Sequence, residues 1–481
     1  MKYISLFICL VFHLSSWSQN ACDCDPLPEP SGTVVTVNDV AELNAALVQA
    51  NANNGNMTIM LNAGTYNLTT NLLFISDNIV NLTIRGATGD RDDVIIRGQG
   101  YNNNAVTHIF NVPASGFTVA DMTIGEVYYH PIQLHNGADN AFVQNVRFVD
   151  AKEQLLKVSS GDGFNDDGVV QCCSFEFTGG VAYQYYTGGI DAHRSRNWQV
   201  RNNVFKNIRS PDGSLAEHAI HFWRESSGTH VEGNIIINCD RGVGFGLGPD
   251  ATSGHTGGVV MNNFVHTSRD VGIGLESAPD AKVYNNTVVS DNYFNSIEYR
   301  FSNTDNVHIA NNLVNEAITS RNEGTGTIEQ NATISDLDIF VDAASYNYHL
   351  AGTTSGITDA GISLPEVSKD LDCQDRTANL PIDIGADEFL QLSNTDAVLE
   401  ENGISLYPNP VEETFTIVAS SDELLDDFDI DVLDNTGQIY QSYSQMSGTV
   451  EIDISALPAG LYFVRIMRDS MLSVQLILKG S

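Results

Sequence analysis

Positive charge is scarce in this chain of 481 residues, which has 23 Lys and Arg against 60 Asp and Glu and a formal net charge of −37. Such an acidic surface repels nucleic acid and anionic lipid, so we expect neither as a partner. A polyanionic ligand would need a local basic patch. Acidic proteins also supply the oxygen ligands that calcium prefers, and Ca²⁺ is therefore the candidate cofactor.

Long apolar runs are missing apart from one at Ile4–Leu14, which follows Met1-Lys2 and precedes Ser-Ser-Trp-Ser-Gln. That run is too short to span a bilayer and is typical of a signal peptide, which we place at residues 1–18 with cleavage near Ser18-Gln19. A lipid anchor at Cys22 is the alternative, although Gln-Asn-Ala is a poor sequence before a lipidated cysteine. We predict no transmembrane segment.

Cysteine is also sparse, with seven residues at positions 9, 22, 24, 172, 173, 239 and 373. This spacing matches neither a dense disulfide framework nor a zinc-ligand pattern. We predict that most of these cysteines are buried small apolar residues. Export permits one or two disulfide bonds.

Short segments with similar patterns, by contrast, recur along the middle of the chain. "NVRFVD", "CCSFEF", "NNVFKN", "GNIIIN", "NNFVHT", "NNTVVS" and "NNLVNE" begin at residues 145, 172, 202, 233, 262, 285 and 311. Each combines a turn with an alternating apolar strand, and a second short strand such as "AIHFW" lies upstream. A repeat of roughly 20–30 residues with short strands and no helix is one coil of a β-solenoid. Asn tolerates the left-handed turn conformation and can stack on the Asn of the next coil.

The segment before the repeats, "VNDVAELNAALVQANAN", predicts a short amphipathic helix capped by Asn38 or Asp39, which would cover the open end of the solenoid. Helix and coils together resemble the right-handed parallel β-helix of pectate-lyase-like proteins over residues 33–345, after a linker at 19–32. Residues 346–390, which end in "DIGADEF", look like the closing segment of secreted bacterial β-helices. We expect it to cover the C-terminal end of the stack.

The C-terminal region, residues 403–481 after a linker at 391–402, has alternating strands and tight turns that predict a small β-sandwich. Its "YPNP", "TG" and "LPAGLYFVRI" segments closely resemble the type IX secretion sorting domain of Bacteroidetes. The resemblance implies passage through the outer membrane by the type IX machinery, with release or surface attachment. The expected fold is therefore all-β, a single-stranded parallel β-helix solenoid followed by a β-sandwich, and we expect a monomer.

Alternation within the upstream strands predicts which side chains point out of the solenoid. One outward column contains Gln133, Lys157, Asp191, His221, Gly244, Gly274 and Glu298. The next contains His135, Ser159, His193, Trp223, Gly246, Glu276 and Arg300. Because rungs are about 4.8 Å apart, Asp191 should lie between Lys157 and His221. Glu217 and His218 are placed in the turn before their strand and Arg224 in the turn after it, and the glycines predict the open floor of a groove.

This surface predicts a binding site for an acidic polysaccharide, since arginines suited to carboxylate or sulfate recognition cluster on the same coils. We predict catalytic roles for Lys157, His193, His221 and Arg224. We predict substrate binding by Arg194, Arg196, Trp223, Arg241, Glu276 and Arg300. Asp191 and Glu217 are the predicted metal ligands.

A polysaccharide lyase is the leading functional hypothesis. β-Elimination needs a cation to neutralise the uronate carboxylate, a base for the C5 proton and an acid for the leaving oxygen. The site resembles the chondroitinase-B and alginate-lyase type of β-helix enzyme in architecture and residue type only, and a C5-epimerase would share the first step. A glycoside hydrolase would need paired carboxylates, for which "FNDDG" offers Asp166 and Asp167. A non-catalytic carbohydrate-binding or adhesion β-helix is the further alternative.

Overall fold

The computed structural model describes residues 24–159, 161–376, 381–389 and, with short gaps, 404–479. The predicted signal peptide, Cys22 and the predicted linker at 391–402 lie outside the described residues. The chain forms two compact units that divide after Phe389. Within the described ranges, no helix has the length and apolar character needed to cross a membrane.

The first unit is a parallel β-helix of about 11 turns, as the repeats predict. Its nine-stranded parallel sheet, which we call the site sheet, is built from His108–Val112, His130–His135, Leu156–Ser159, Ile190–His193, His218–Trp223, Arg241–Phe245, Ile273–Glu276, Asn295–Arg300 and Ala317–Arg321. A four-stranded parallel sheet next along the chain contains Asn165–Asp166, Ser195–Arg196, Ser226–Ser227 and His255–Thr256.

The remaining strands of the coils form a 21-stranded sheet. Its strands are Thr33–Val37, Gly55–Leu61, Gly64–Asn67, Val80–Gly86, Val94–Arg97, Thr118–Val127, Phe142–Ala151, Val169–Gln171, Ser174–Glu176, Gln199–Arg201, Val204–Lys206, His230–Glu232, Ile235–Cys239, Val259–Met261, Phe264–Thr267, Lys282–Tyr284, Thr287–Ser290, Val307–Ala310, Leu313–Val314, Gly326–Glu329 and Ala332–Thr333. In the later coils, two consecutive strands of this sheet are separated by only two residues, at least one of which is Asn. These two residues form the bend between the strands.

The asparagines at these bends stack between coils, as predicted. The Oδ1 atom of Asn234 accepts hydrogen bonds from the backbone N–H and the Nδ2 of Asn203, at 3.1 and 3.0 Å. The same pattern continues upward along a ladder of Asn203, Asn234, Asn263, Asn286, Asn312 and Asn331. Since these groups are buried, the ladder satisfies backbone donors that the bend removes from the sheets.

The interior of the helix is filled by aligned apolar side chains. The residues that directly precede the first predicted outward column are all fully buried: Ile132, Leu156, Ile190, Ile220, Val243, Ile273 and Ile297. Phe148, Phe175 and Phe205 stack face to face in successive coils, with ring centroids 4.4 and 4.6 Å apart. Burial of such columns is the main favourable contribution to the fold.

The α-helix Val40–Ala52 precedes the second strand and buries Leu43, Ala46, Leu47 and Ala50. Asp39 is its N-cap, one of the two predicted, and its side chain accepts a hydrogen bond from the backbone N–H of Glu42 at 2.8 Å. The helix packs on the first coil, where it covers apolar surface.

The closing segment differs from the prediction, because it lies along the side of the last coils. Its strand Asn347–Leu350 pairs antiparallel with Phe340–Asp342, which lies just before it in the chain, and the short 3₁₀ helix Ala343–Ser345 connects the two. Asn262, Asn285 and Asn311, the outward asparagines of three bends, donate hydrogen bonds to backbone carbonyls of this segment. The closing segment therefore crosses the Asn bends, while the last-coil strand Gly326–Glu329 stays exposed.

Disulfide bonding ties the N-terminal segment to the helix. Cys24 is bonded to Cys172, and Gln144 donates a hydrogen bond to the carbonyl of Asp25 at 2.7 Å. Cys373 is also disulfide-bonded, whereas Cys173 and Cys239 are buried free thiols. The structure thus has both bonded and buried cysteines, and part of the predicted linker at 19–32 is held against the coils.

The second unit consists of two antiparallel sheets with a shared apolar core. One contains Ile404–Tyr407, Thr414–Ala419 and Val450–Asp453, and the other contains Phe428–Asp434, Ile439–Met446, Gly460–Arg468 and Met471–Lys479. Phe415 and Ile417 of the first sheet pack with Ile430 and Val464 of the second, which makes the unit the predicted β-sandwich.

Candidate functional site

The site sheet has the predicted register. Lys157 lies opposite Asp191, Asp191 opposite His221, and His193 opposite Trp223. We call these five residues the polar cluster. They meet because residues two apart in a strand share a face and equivalent residues of successive coils are neighbours.

Direct contacts hold the polar cluster together. The Lys157 ammonium forms an ion pair with Asp191 and lies 3.2 Å from the Nε2 of His193. The indole Nε1–H of Trp223 donates to the other Asp191 oxygen at 2.8 Å. One carboxylate thus anchors an ammonium group and an indole, and the ammonium contacts an imidazole.

The cluster is more buried than predicted. His221 is fully buried, and Asp191 and Lys157 are 3% and 6% exposed. Trp223 stacks on His221 with centroids 5.6 Å apart, and His193 meets the Trp223 ring edge-on at 4.5 Å. The expectation that His221 faces solvent is therefore wrong, because the next outward side chain covers it. His193, with 13% of its side chain exposed, and Trp223 form the accessible surface.

Burial and charge shift the pKa values of the cluster in different directions. Burial would raise the pKa of Asp191, but the nearby Lys157 and histidines outweigh it and lower that pKa to about 2. Burial lowers the pKa of His193 to about 4, against the opposing effect of Asp191. At neutral pH the structure therefore holds a carboxylate beside a neutral, partly exposed imidazole.

His218 is not in a turn, as predicted, but begins the strand His218–Trp223. Its ring lies against Gly244: a β-carbon at Gly244 would be 2.8 Å from three ring atoms, and one at Gly274 would be 3.7 Å from Nε2. The predicted open glycine floor is therefore occupied by an imidazole. Only glycine leaves room for that ring.

His218 also belongs to a group that the sequence analysis did not recognise. Ligand atoms of Glu217, His218 and His221 all lie within 4.8 Å of one another. The sequence of residues 217–221, "EHAIH", indicates this group, because it places two imidazoles and a carboxylate close together at the start of one strand.

The predicted calcium ligands do not fit calcium. Ca²⁺ takes six to eight oxygen ligands, whereas Asp191 is engaged with Lys157 and Trp223. Glu217 faces the Nδ1 of His221 at 3.7 Å. An ammonium and two imidazoles are unsuitable neighbours for this ion.

Most of the predicted basic patch is neutralised by carboxylates. The pairs are Arg194 with Glu225 at 2.7 Å, Arg196 with Asp166 at 2.5 Å, Arg241 with Asp270 at 3.1 Å and Arg300 with Glu276 at 2.6 Å. Asp166, a candidate hydrolase carboxylate, is thus engaged by Arg196. Arg224 differs: it is exposed, it lies in the predicted turn with φ 55°, and its side chain has no ion pair with any described residue. Its charge reaches His193 and helps to lower the pKa of that imidazole.

A surface of exposed tyrosines near the site was missed by the sequence analysis. Tyr101, Tyr129, Tyr183, Tyr185 and Tyr186 are each more than a third exposed, and the rings of Tyr101 and Tyr183 lie 4.3 Å apart. The last three belong to "VAYQYYTGG", which leads directly into the strand Ile190–His193. This loop ends beside Glu217, since a β-carbon at Gly188 would be 3.2 Å from the Cβ of that residue.

The second unit matches a known protein family, and this match identifies its role. Residues 405–479 match the family described as secretion system C-terminal sorting domain. This region is a type IX secretion sorting domain. It directs the protein to the cell surface or the extracellular space, as the motifs predicted. No curated protein matches the chain.

Solved structures share the fold of the first unit. Pectate lyase Pel9A has a TM-score of 0.52 at 12% identity, over 77% of this chain and 100% of that one. The mannuronan C-5 epimerase AlgE6 A-module of Azotobacter vinelandii has a TM-score of 0.33 at 14% identity, over 60% and 95%. The surface adhesin PfbA of Streptococcus pneumoniae has a TM-score of 0.33 at 13% identity, over 62% and 98%. The first of these likenesses shows a pectate-lyase-like parallel β-helix, and at such low identity it shows the fold alone.

Proposed function

We propose that the β-helix unit is a secreted polysaccharide lyase that cleaves a uronate-containing polymer by β-elimination at the polar cluster. The observation that carries this proposal is the contact between the Lys157 ammonium and the neutral His193 imidazole, 3.2 Å apart, at the one accessible edge of the cluster. A cation beside an unprotonated base is the combination that removal of a proton next to a carboxylate requires.

The proposed reaction begins when the uronate carboxylate binds Lys157 and the exposed Arg224. A carboxylate is a stronger hydrogen-bond acceptor than an imidazole, so it draws the ammonium away from the Nε2 of His193. That nitrogen then accepts the C5 proton, the C4–O4 bond breaks, and the electron pair of the C5–H bond forms the C4=C5 double bond. The resulting imidazolium returns the proton to the leaving O4. Asp191 holds Lys157, and His221 supports Trp223 from beneath.

The test is the ultraviolet absorbance of the unsaturated product. The purified full chain would be incubated with alginate, pectate, chondroitin, hyaluronate and ulvan, each with and without EDTA. We expect absorbance to rise with one of the polymers. The rate of this rise should be about 10²–10⁴-fold lower in His193→Gln. The matched control is His230→Gln, an exposed histidine on the 21-stranded sheet.

Product without unsaturation but with new reducing ends would replace the lyase proposal with hydrolysis. Inversion at C5 without chain cleavage would replace it with epimerisation. No change in any polymer would overturn all three.

Burial of Lys157, Asp191 and His221 favours a second candidate, a non-catalytic carbohydrate-binding protein. In that case the exposed tyrosines carry the interaction, because aromatic rings bind extended sugar faces without moving protons. The double change Tyr183→Ala and Tyr185→Ala should then weaken polysaccharide binding about two- to tenfold, as expected for about 0.5–1.5 kcal/mol of aromatic contact. Phe74→Ala, at a comparably exposed aromatic residue, is the control. If the tyrosine variant and the Phe74 control bind polysaccharide with equal affinity, the exposed tyrosines are not the binding surface.

A further inference from the structure

We propose that Glu217, His218 and His221 bind a divalent transition-metal ion, for which Zn²⁺ is the best match. This inference goes beyond the lyase proposal and does not depend on it. The three side chains come from five consecutive residues, and their ligand atoms lie within 4.8 Å of one another.

Two imidazole nitrogens of this group have no hydrogen-bond partner among the described residues. They are the Nδ1 atoms of His218 and His221, both buried. Buried polar atoms are nearly always paired in folded proteins, so two neighbouring exceptions point to a ligand. The centroids of the two rings are 4.7 Å apart, and one ligand atom of each residue lies within 4.8 Å of those of the other two.

The orientation of His221 suits metal binding. Its Nε2 lies 3.1 Å from the carbonyl oxygen of Gly246 and so carries the proton that it donates there. The Nδ1 lone pair is then directed towards the Glu217 carboxylate, 3.7 Å away, and Asp191, 3.9 Å away. A metal-bound histidine commonly donates its second ring N–H to a backbone carbonyl in this way.

His218 is held by the glycines of the next coils. Its ring rests against Gly244, where a side chain would collide with it. The glycines that were predicted to form a groove floor therefore position a ligand.

The donor set selects the class of ion. Two imidazoles and one carboxylate are the ligands of many zinc sites, whereas calcium requires oxygens. Bonds of about 2.0–2.2 Å place two ligands of one ion no more than about 4.4 Å apart. The 3.7 Å between Glu217 and His221 meets this limit. Glu217 has 29% of its side chain exposed, which leaves it free to adjust and gives the ion a path from solvent.

A second group, His349, Asp372 and Asp387, has similar spacing but engaged atoms. The Nε2 of His349 pairs with Asp372 at 2.8 Å, and Asp387 accepts the backbone N–H of Leu350 at 2.7 Å. It serves as the internal comparison in the experiment.

The experiment is calorimetric titration of the chelator-stripped full chain with ZnCl₂ in the absence of polysaccharide. We expect one equivalent to bind and the affinity to fall by at least about tenfold in His218→Gln, His221→Gln and Glu217→Gln. His349→Gln should bind like the wild type. So should His308→Gln, which removes a partly exposed histidine that pairs with Glu329 at 2.8 Å. Visible absorption after Co²⁺ substitution should show nitrogen ligation that the first two variants lose.

Absence of stoichiometric binding would overturn the inference, as would binding that survives His218→Gln and His221→Gln or disappears in His349→Gln. Glu217→Gln guards against misfolding of the buried variants, because Glu217 is partly exposed and lies outside the strand. Since binding is measured without substrate, a protein that binds zinc but cleaves no polymer would retain this inference and lose the lyase proposal. A protein that cleaves a polymer but binds no zinc would retain the lyase proposal and lose this inference.

Discussion

At the scale of single residues, the proposed reaction depends on a neutral His193. Burial lowers the pKa of that imidazole to about 4, whereas an unperturbed histidine titrates near 6.5. We therefore expect kcat/KM to be constant from neutral pH down to about pH 5 and to fall as pH decreases through about 4, when the base becomes protonated. Asp191, with a pKa of about 2, stays charged over this range. A pH–rate profile measures this directly, and a midpoint near 6.5 would show that His193 is not the base.

Asp191 is also predicted to be a structural requirement. Asp191→Asn leaves the buried Lys157 ammonium without its carboxylate, and breaking a buried pair in this way costs about 3–5 kcal/mol. The matched change Asp166→Asn removes the partner of Arg196 in a much more exposed pair and should cost about 0–1 kcal/mol. Denaturant unfolding of the two variants gives the comparison. Equal losses would mean that the Lys157–Asp191 pair contributes no more than a surface ion pair.

At the scale of elements, the asparagine ladder is the device that aligns the coils. Asn263→Ala removes an Oδ1 that accepts two hydrogen bonds from Asn234, and an Nδ2 that donates to the next rung and to the carbonyl of Val231. Each buried group left unpaired costs about 1–3 kcal/mol. Asn331→Ala, at the partly exposed last rung, should cost less. Thermal unfolding would test the order, and a greater loss at Asn331 would contradict it.

The same elements explain how much the sequence could predict. Side chains alternate strictly along a strand, so the aligned isoleucines fix the register, and Lys157, Asp191 and His221 were placed next to one another correctly. Burial was mispredicted because it depends on side-chain directions that alternation does not determine. Trp223 folds over His221, and the ring of His218 fills the space above Gly244. Arg196 was expected to bind substrate, whereas Asp166 belongs to a short strand in register with it and forms an ion pair with its guanidinium.

At the scale of the whole molecule, a secretion module and a β-helix unit are joined in one chain, and they should be separable in function. The β-helix has its own apolar core and its own disulfide, so it does not require the second unit to bury its interior. Truncation after residue 402 removes the sorting domain at 405–479. In a host with type IX secretion, we expect the truncated chain to fold but to remain inside the outer membrane, while the full chain reaches the surface or the medium. Cell fractionation with surface proteolysis measures both, and a His193→Gln full chain is the control, because a defect in chemistry should leave its export unchanged. Export of the truncated chain would show that the β-helix unit contains a secretion signal of its own.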